Sequence, residues 1–188
     1  KEKYRSHQLY KWVYNKGNYN FNEMSNIPKS LRTLFGTMFE TELPVINEVL
    51  PSSDGSIKFG LALKDGNVVE SIFMPEEKRD TLCISTQIGC RMGCKFCVTG
   101  RIGFIRNLTT HEMVCQLLAV REYIKNNTDR PNINETAKPI TNIVFMGMGE
   151  PLDNLENVMH ALDILKEPFG LDYSHRKSHF HLWGWSKP

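Results

Sequence analysis

Residues 83–100, CISTQIGCRMGCKFCVTG, decide how the rest of the chain is read. Cys90, Cys94 and Cys97 stand in a C-x3-C-x2-C spacing with Gly89 and Gly93 beside them, so the backbone can fold tightly enough to aim three thiolates at one point. A structural zinc site takes four protein ligands in a closed tetrahedron, and His111 is the nearest downstream residue able to complete one. An iron-sulfur cluster held by three cysteines instead keeps one iron open to another ligand. Three unrelated core cysteines fit poorly, because the glycines, Arg91 and Lys95 make this a polar loop.

On either side of the loop the pattern is α/β. Leu82, Cys83, Ile84 and Ser85 read as a strand feeding it, which agrees with the placement of ligands beyond the carboxyl ends of strands in α/β folds. Downstream, Thr109 and Glu112 form a T-x-x-E capping box with Leu108 and Met113 as a hydrophobic staple. Met113, Val114, Leu117, Leu118, Arg121 and Ile124 then trace one helix face, leaving Cys115 a bystander and His111 in the first turn. Residues 125–138 read as a polar loop. Residues 140–146, ITNIVFM, have the apolar content of a parallel strand covered on both faces and end in GMGEP. There the glycines permit close backbone approach to a ligand, and Glu150 offers a carboxylate to an ammonium group. A helix through Leu155, Val158, Met159, Leu162 and Leu165 follows, stopped by Pro168 and Gly170.

Upstream the period changes. Phe59, Leu61 and Leu63 alternate with Lys58, Gly60 and Lys64, Asp65-Gly66 supplies a tight turn, and a second strand runs over residues 68–74. Glu70 is in phase with Val68, Ile72 and Met74, so one carboxylate shares a mainly apolar face. Burial of that face would raise its proton affinity and suit it to act as a base, whereas a wet face would leave it simply solvated. Earlier still, Leu9, Trp12 and Val13 fit one short helix, and Leu31, Leu34, Phe35, Met38 and Phe39 fit another after Pro28. The expected division is a helical domain over 1–50, a β-hairpin region over 51–76 and a catalytic core over 77–188.

Composition narrows the class. The 188 residues are 40% hydrophobic, enough for one ordinary core and a small accessory domain. No stretch approaches the ~18 consecutive apolar residues of a membrane span, and the start lacks a signal-peptide layout, so the expected location is the cytoplasm. Five cysteines, three clustered, do not form a secreted disulfide framework. The net charge is +2, but Lys1, Lys3, Arg5, Lys11 and Lys16 crowd the first segment, and Arg91, Lys95, Arg101 and Arg106 surround the cysteines. Such groups can neutralise RNA phosphates or merely face water.

The C-x3-C-x2-C spacing, the run from Glu70 through CISTQIGCRMGCKFC to GFIRNLT, and ITNIVFMGMGEPLDN resemble the bacterial radical S-adenosylmethionine (SAM) methyltransferases of the RlmN type, which modify C2 of adenosine in 23S rRNA and tRNA. The resemblance implies a partial radical SAM (β/α) barrel preceded by a small helical domain and a β-hairpin. It implies a 4Fe-4S cluster on Cys90, Cys94 and Cys97, with the amino group of SAM at Gly149 and Glu150. It further implies Glu70 as the acceptor of the C2 proton, and Cys83 as the transient disulfide partner of a methyl-carrying cysteine beyond these residues. RNA, a flavodoxin-type electron donor and a monomeric state complete the expectation. The resemblance stops at residues 178–188, SHFHLWGWSKP, where the family's Ser-Thr-x-Gly element is missing, and the chain is expected to be a fragment that does not methylate RNA alone. Two other readings stay open: a zinc-stabilised RNA-binding module, and a radical SAM enzyme with another substrate.

Overall fold

A computed structural model describes residues 3–127, 138–173 and 178–179. Most of the polar loop expected at 125–138 and nearly all of the divergent tail lie outside the described residues, as does Lys1.

The N-terminal segment folds as read from its periodicity. Helix α1 (Lys3–Tyr10) runs into a wider turn over Lys11–Asn15, and α2 (Lys29–Met38) starts after Pro28. Between them Phe21, Met24 and Ile27 are buried and collect Leu9, Trp12, Val13, Leu31 and Phe35 into a small core of their own. This lobe rests on the rest of the chain through polar and aromatic contacts. Arg121 donates to the Tyr14 carbonyl at 2.6 Å, and the His7 ring stacks on Phe169 at 3.8 Å between centroids.

The body is one six-stranded sheet in the order β1-β2-β3-β4-β7-β8. Strands β1 (Val45–Pro51), β2 (Ile57–Ala62), β3 (Val68–Pro75) and β4 (Asp80–Cys83) pair antiparallel, each with the next. The expected hairpin is β2 and β3, with Ala62 opposite Val68 and Gly66 at φ +82° in the turn. Strand β1 went unread because Val45, Leu50 and the charged Glu48 show no clean alternation; the ladder carries a register shift between Ile46 and Glu48. From β4 onward the pairing turns parallel, to β7 (Asn142–Val144) and then to β8 (Ser178–His179). Two residues of the tail thus continue the sheet although their sequence departs from the expected element. A two-stranded ribbon of β5 (Gln87–Ile88) and β6 (Arg106–Asn107) brackets the cysteine loop and α3 (Val98–Ile102).

Helices α4 (Thr110–Asn127) and α5 (Leu155–Lys166) pack together on the sheet. The capping box forms as predicted: Thr109 N–H donates to Glu112 Oε2 at 2.8 Å and Glu112 N–H donates to Thr109 Oγ1 at 3.2 Å. Leu108 and Met113, the staple pair, are fully buried. Burial of α4 extends around most of its circumference, taking in Cys115, Gln116, Ala119 and Val120 as well as the predicted stripe. On α5, Val158, Ala161, Leu162 and Leu165 are inward, while Leu155 and Met159 face out. Among the described residues, no helix is long and apolar enough to cross a membrane.

Candidate functional site

Parallel strands β4 and β7 carry their chains to the same end of the sheet, where residues 84–90 meet residues 145–150. Ile84 N–H donates to the Val144 carbonyl, and both Thr86 N–H and Gln87 N–H donate to the Met148 carbonyl at 2.8 and 3.1 Å. The two segments therefore leave the sheet side by side. Close packing sets the conformation of the second: Gly149 has φ +101°, and a Cβ there would stand 2.5 Å from the Gln87 side chain. Glu150 is buried, its N–H donates to Gln87 Oε1 at 2.9 Å, and its carboxylate caps the following turn by accepting from Leu152 N–H at 3.2 Å.

The cysteine loop projects from this floor. Cys90, Cys94 and Cys97 are each half-buried and form no disulfide. Cys90 N–H donates to the Gly103 carbonyl, closing the loop at its base, and Cys97 N–H donates to the Cys94 carbonyl. Burial pushes the Cys90 thiol up; a Met92 N–H opposes this, and negative charge at Cys94, Cys97 and Glu150 adds to it. Cys97 is held below the usual thiol range, first by a Gly100 N–H and then by Thr99. Cys90 thus senses both other thiols and the Glu150 carboxylate. The donor set suits an iron-sulfur cluster in its chemistry: three free thiols on one short loop. Among the described residues, no group of three or more His, Cys, Asp or Glu is gathered closely enough to hold a metal ion.

The remaining candidates lie apart. His111 is exposed on the first turn of α4, with its ring nitrogens 3.6 Å from Cys115 Sγ, and lines a separate groove of about 310 Å³ with Glu42, Lys64 and Leu63. Cys83 is buried beside the floor, and burial pushes its thiol up to about 11. Glu70 takes the solvated of the two alternatives its phase left open. The inward face of β3 is Val69, Ser71 and Phe73; Glu70 lies on the other, its side chain 47% exposed and paired with Lys58 at 2.8 Å. The desolvation expected of an apolar face does not apply, because that face of the sheet is open at Glu70. Its backbone, however, touches the site: the Glu70 carbonyl accepts from Ser85 Oγ at 2.6 Å.

Sequence reasoning missed the amides that hold the floor together. Gln87 is fully buried and its Nε2 donates to Asn107 and Asp153 at 2.8 and 2.7 Å. Asn154 Nδ2 donates to the Thr86 and Leu108 carbonyls. Gln116 accepts from Ser71 Oγ and Ser85 N–H and donates to the Ser85 carbonyl. The available signal was Gln116 itself, an amide set among the apolar positions of a helix face.

Fold and sequence are both similar to those of radical SAM methyltransferases. A crystal structure of a radical SAM methyltransferase from Sphaerobacter thermophilus superposes with a TM-score of 0.80 at 34% identity, covering 94% of this chain and 50% of that one. Residues 1–40 match the family model described as the ribosomal RNA large subunit methyltransferase N-terminal domain. Dual-specificity RNA methyltransferase RlmN 2 of Myxococcus xanthus is 44% identical over 174 residues, 92% of this chain and 45% of that protein. Dual-specificity RNA methyltransferase RlmN of a Nitratiruptor species is 44% identical over 188 residues, 93% of this chain and 50% of that protein. Over the portion it spans, the chain is similar to the RlmN proteins along more than nine tenths of its own length. It spans about half the length of these curated relatives.

Proposed function

We propose that the chain is the N-terminal and partial catalytic portion of a radical SAM methyltransferase acting on C2 of adenosine in 23S rRNA and tRNA, its parallel strands the opening part of a (β/α) barrel. The observation that carries this reading is the seating of the cysteine loop beside the Gly149–Glu150 turn, with Thr86 and Gln87 N–H groups on the Met148 carbonyl and Glu150 N–H on Gln87 Oε1. Cys90, Cys94 and Cys97 would hold the 4Fe-4S cluster, and Gly149 and Glu150 the amino group of SAM. When bound, cluster and SAM supply a one-electron route to carbon alkylation, which C2 of adenine requires because it is a poor nucleophile.

The protein's own residues do the rest. The buried floor fixes the loop and excludes water beneath it. Glu70 would accept the proton of a substrate that approaches from outside; its exposed side chain and the contact of its backbone with Ser85 support this role. Cys83, kept as a thiol by burial, would enter disulfide exchange only once uncovered, since the thiolate is the attacking species. Exposed Lys11, Lys16, Lys95 and Arg101 offer cations to RNA phosphates, and an adenosine in an RNA loop is the one most easily unstacked. The division expected at residues 50 and 76 shifts in this reading: the helical lobe ends before Val45–Pro51, which joins the hairpin over 51–76 as β1, and the core follows from 77. A flavodoxin-type reductant, a monomeric state and a cytoplasmic setting complete the reading.

The test joins this chain to the second half of the Nitratiruptor relative and measures methyl transfer to C2 of adenosine in 23S rRNA and tRNA under reducing, anaerobic conditions. The reading expects transfer that Cys97→Ser abolishes and Glu70→Gln lowers. A hybrid that folds and binds iron yet leaves RNA unmethylated would count against the substrate. Stoichiometric zinc with RNA binding would favour the module reading instead.

A further inference from the structure

We propose that Arg91 and Asp153 form a clasp that positions the cysteine loop against the Gly149–Glu150 turn and slows loss of the metal cluster; this rests on the reading given above. Arg91 directly follows Cys90, and its Nε stands 2.9 Å from Asp153 Oδ2. Its guanidinium also lies over the Phe104 ring, 3.9 Å from the centroid, on the returning arm of the loop. Asp153 belongs to the other side of the site. Its N–H donates to the Glu150 carbonyl, its Oδ2 also accepts from Gln87 Nε2 at 2.7 Å, and its carbonyl accepts from Asn107 Nδ2 at 3.1 Å. One carboxylate therefore joins the first residue after a proposed cluster ligand to the turn proposed to hold SAM.

This geometry matters because the loop is held mainly at its base. Cys90 N–H on the Gly103 carbonyl closes it there, the Cys97 N–H and Arg101 Nη2 bonds stay within it, and its side chains are largely exposed. The Arg91 side chain is 53% exposed and that of Asp153 29%, so the pair is weak as a contributor to folding. Its effect is on where the loop sits. Both are positioning residues, acting through Cys90 and Glu150.

The experiment reconstitutes the 188-residue chain anaerobically with ferrous iron and sulfide, then follows iron transfer to a chelator for the wild type, Arg91→Ala, Asp153→Ala, the double variant and Asp153→Asn. Each alanine variant should lose iron about two- to fivefold faster, a range set by the worth of a partly exposed ion pair. The double variant should be no faster than the faster single one, because the two act as one unit. Asp153→Asn, which keeps the acceptor oxygen and drops the charge, should fall between. Added salt should speed wild-type loss toward the variants' rate, as it screens the pair. Thermal midpoints of the iron-free wild type and Arg91→Ala should stay together, since Arg91 takes no part in the buried network that Asp153 shares with Gln87. Wild type that takes up no iron would sink the functional reading and the clasp with it. Wild type that holds iron while the variants lose it at the same rate would overturn the clasp alone, as would an iron-free Arg91→Ala midpoint that falls in step with its rate.

Discussion

Residues 81–89 and residues 91–102 are neighbours in the chain and are built on opposite principles. In the first stretch every residue is buried, including Ser85, Thr86 and Gln87, and the backbone is tied to β7 and the turn after it. In the second, Phe96 is 77% exposed and Val98 72%, and apolar side chains face outward from a loop that carries cysteine thiols. The difference teaches where rigidity resides. The floor is fixed by hydrogen bonds that water cannot compete for, so it can set the place of the loop, while the loop keeps its sulfurs reachable. A site for a large cofactor and a larger substrate needs both.

Two glycines, one in each region, give the sharpest way to break this contrast. Gly89 has φ +71°, and a Cβ there would fall 1.7 Å from the Gly103 carbonyl oxygen; Gly93 has φ +62° with nothing within 4 Å. Gly89→Ala should cost about 3 kcal/mol or more, combining backbone strain with a clash against main chain, while Gly93→Ala should cost about 1 kcal/mol from strain alone. Urea unfolding of the iron-free chain measures both, and equal losses would mean the loop is as constrained as its floor.

Next in size is Gln116→Ala. It strips partners from Ser71 Oγ and from the N–H and carbonyl of Ser85 beneath the floor, at about 2 kcal/mol for buried groups left unsatisfied. Unchanged stability would show that the amide network is incidental. A smaller effect comes from pH. Burial works against ionisation of Glu112, but Arg106 and the Thr109 N–H outweigh it and hold its carboxyl below the ordinary value of 4.5. A carboxyl lowered on folding contributes stability above its unfolded value and loses it as pH falls through the folded one. Thermal midpoints should therefore drop as pH falls below about 4.5, and Glu112→Gln should flatten part of that slope. Smallest of all, Val98→Ser on the exposed loop should change stability by less than about 0.5 kcal/mol.

Much of the frame was legible because local signals agreed with one another. The Thr109–Glu112 box and the Asp65-Gly66 turn each need particular residues at fixed spacing, and each forms as read. Glu70 shows where such reading stops. Period two says which residues share a face but not which face turns inward, and here Val69, Ser71 and Phe73 go to the core. Gln87 and Asn154 carry no local signal for a related reason: amides usually face water, and only the fold shows that they replace water under a bent backbone. The Arg91–Asp153 contact joins residues far apart in the chain, beyond any local pattern.

What the three thiols hold decides the function of the chain. Anaerobic reconstitution of the chain with iron and sulfide, read by visible absorption and metal analysis, asks this directly. About four irons per chain with broad visible absorption, lost together in Cys90→Ser, Cys94→Ser and Cys97→Ser, is the result predicted. A colourless protein with one zinc, unaffected by iron and dependent on His111, would contradict it.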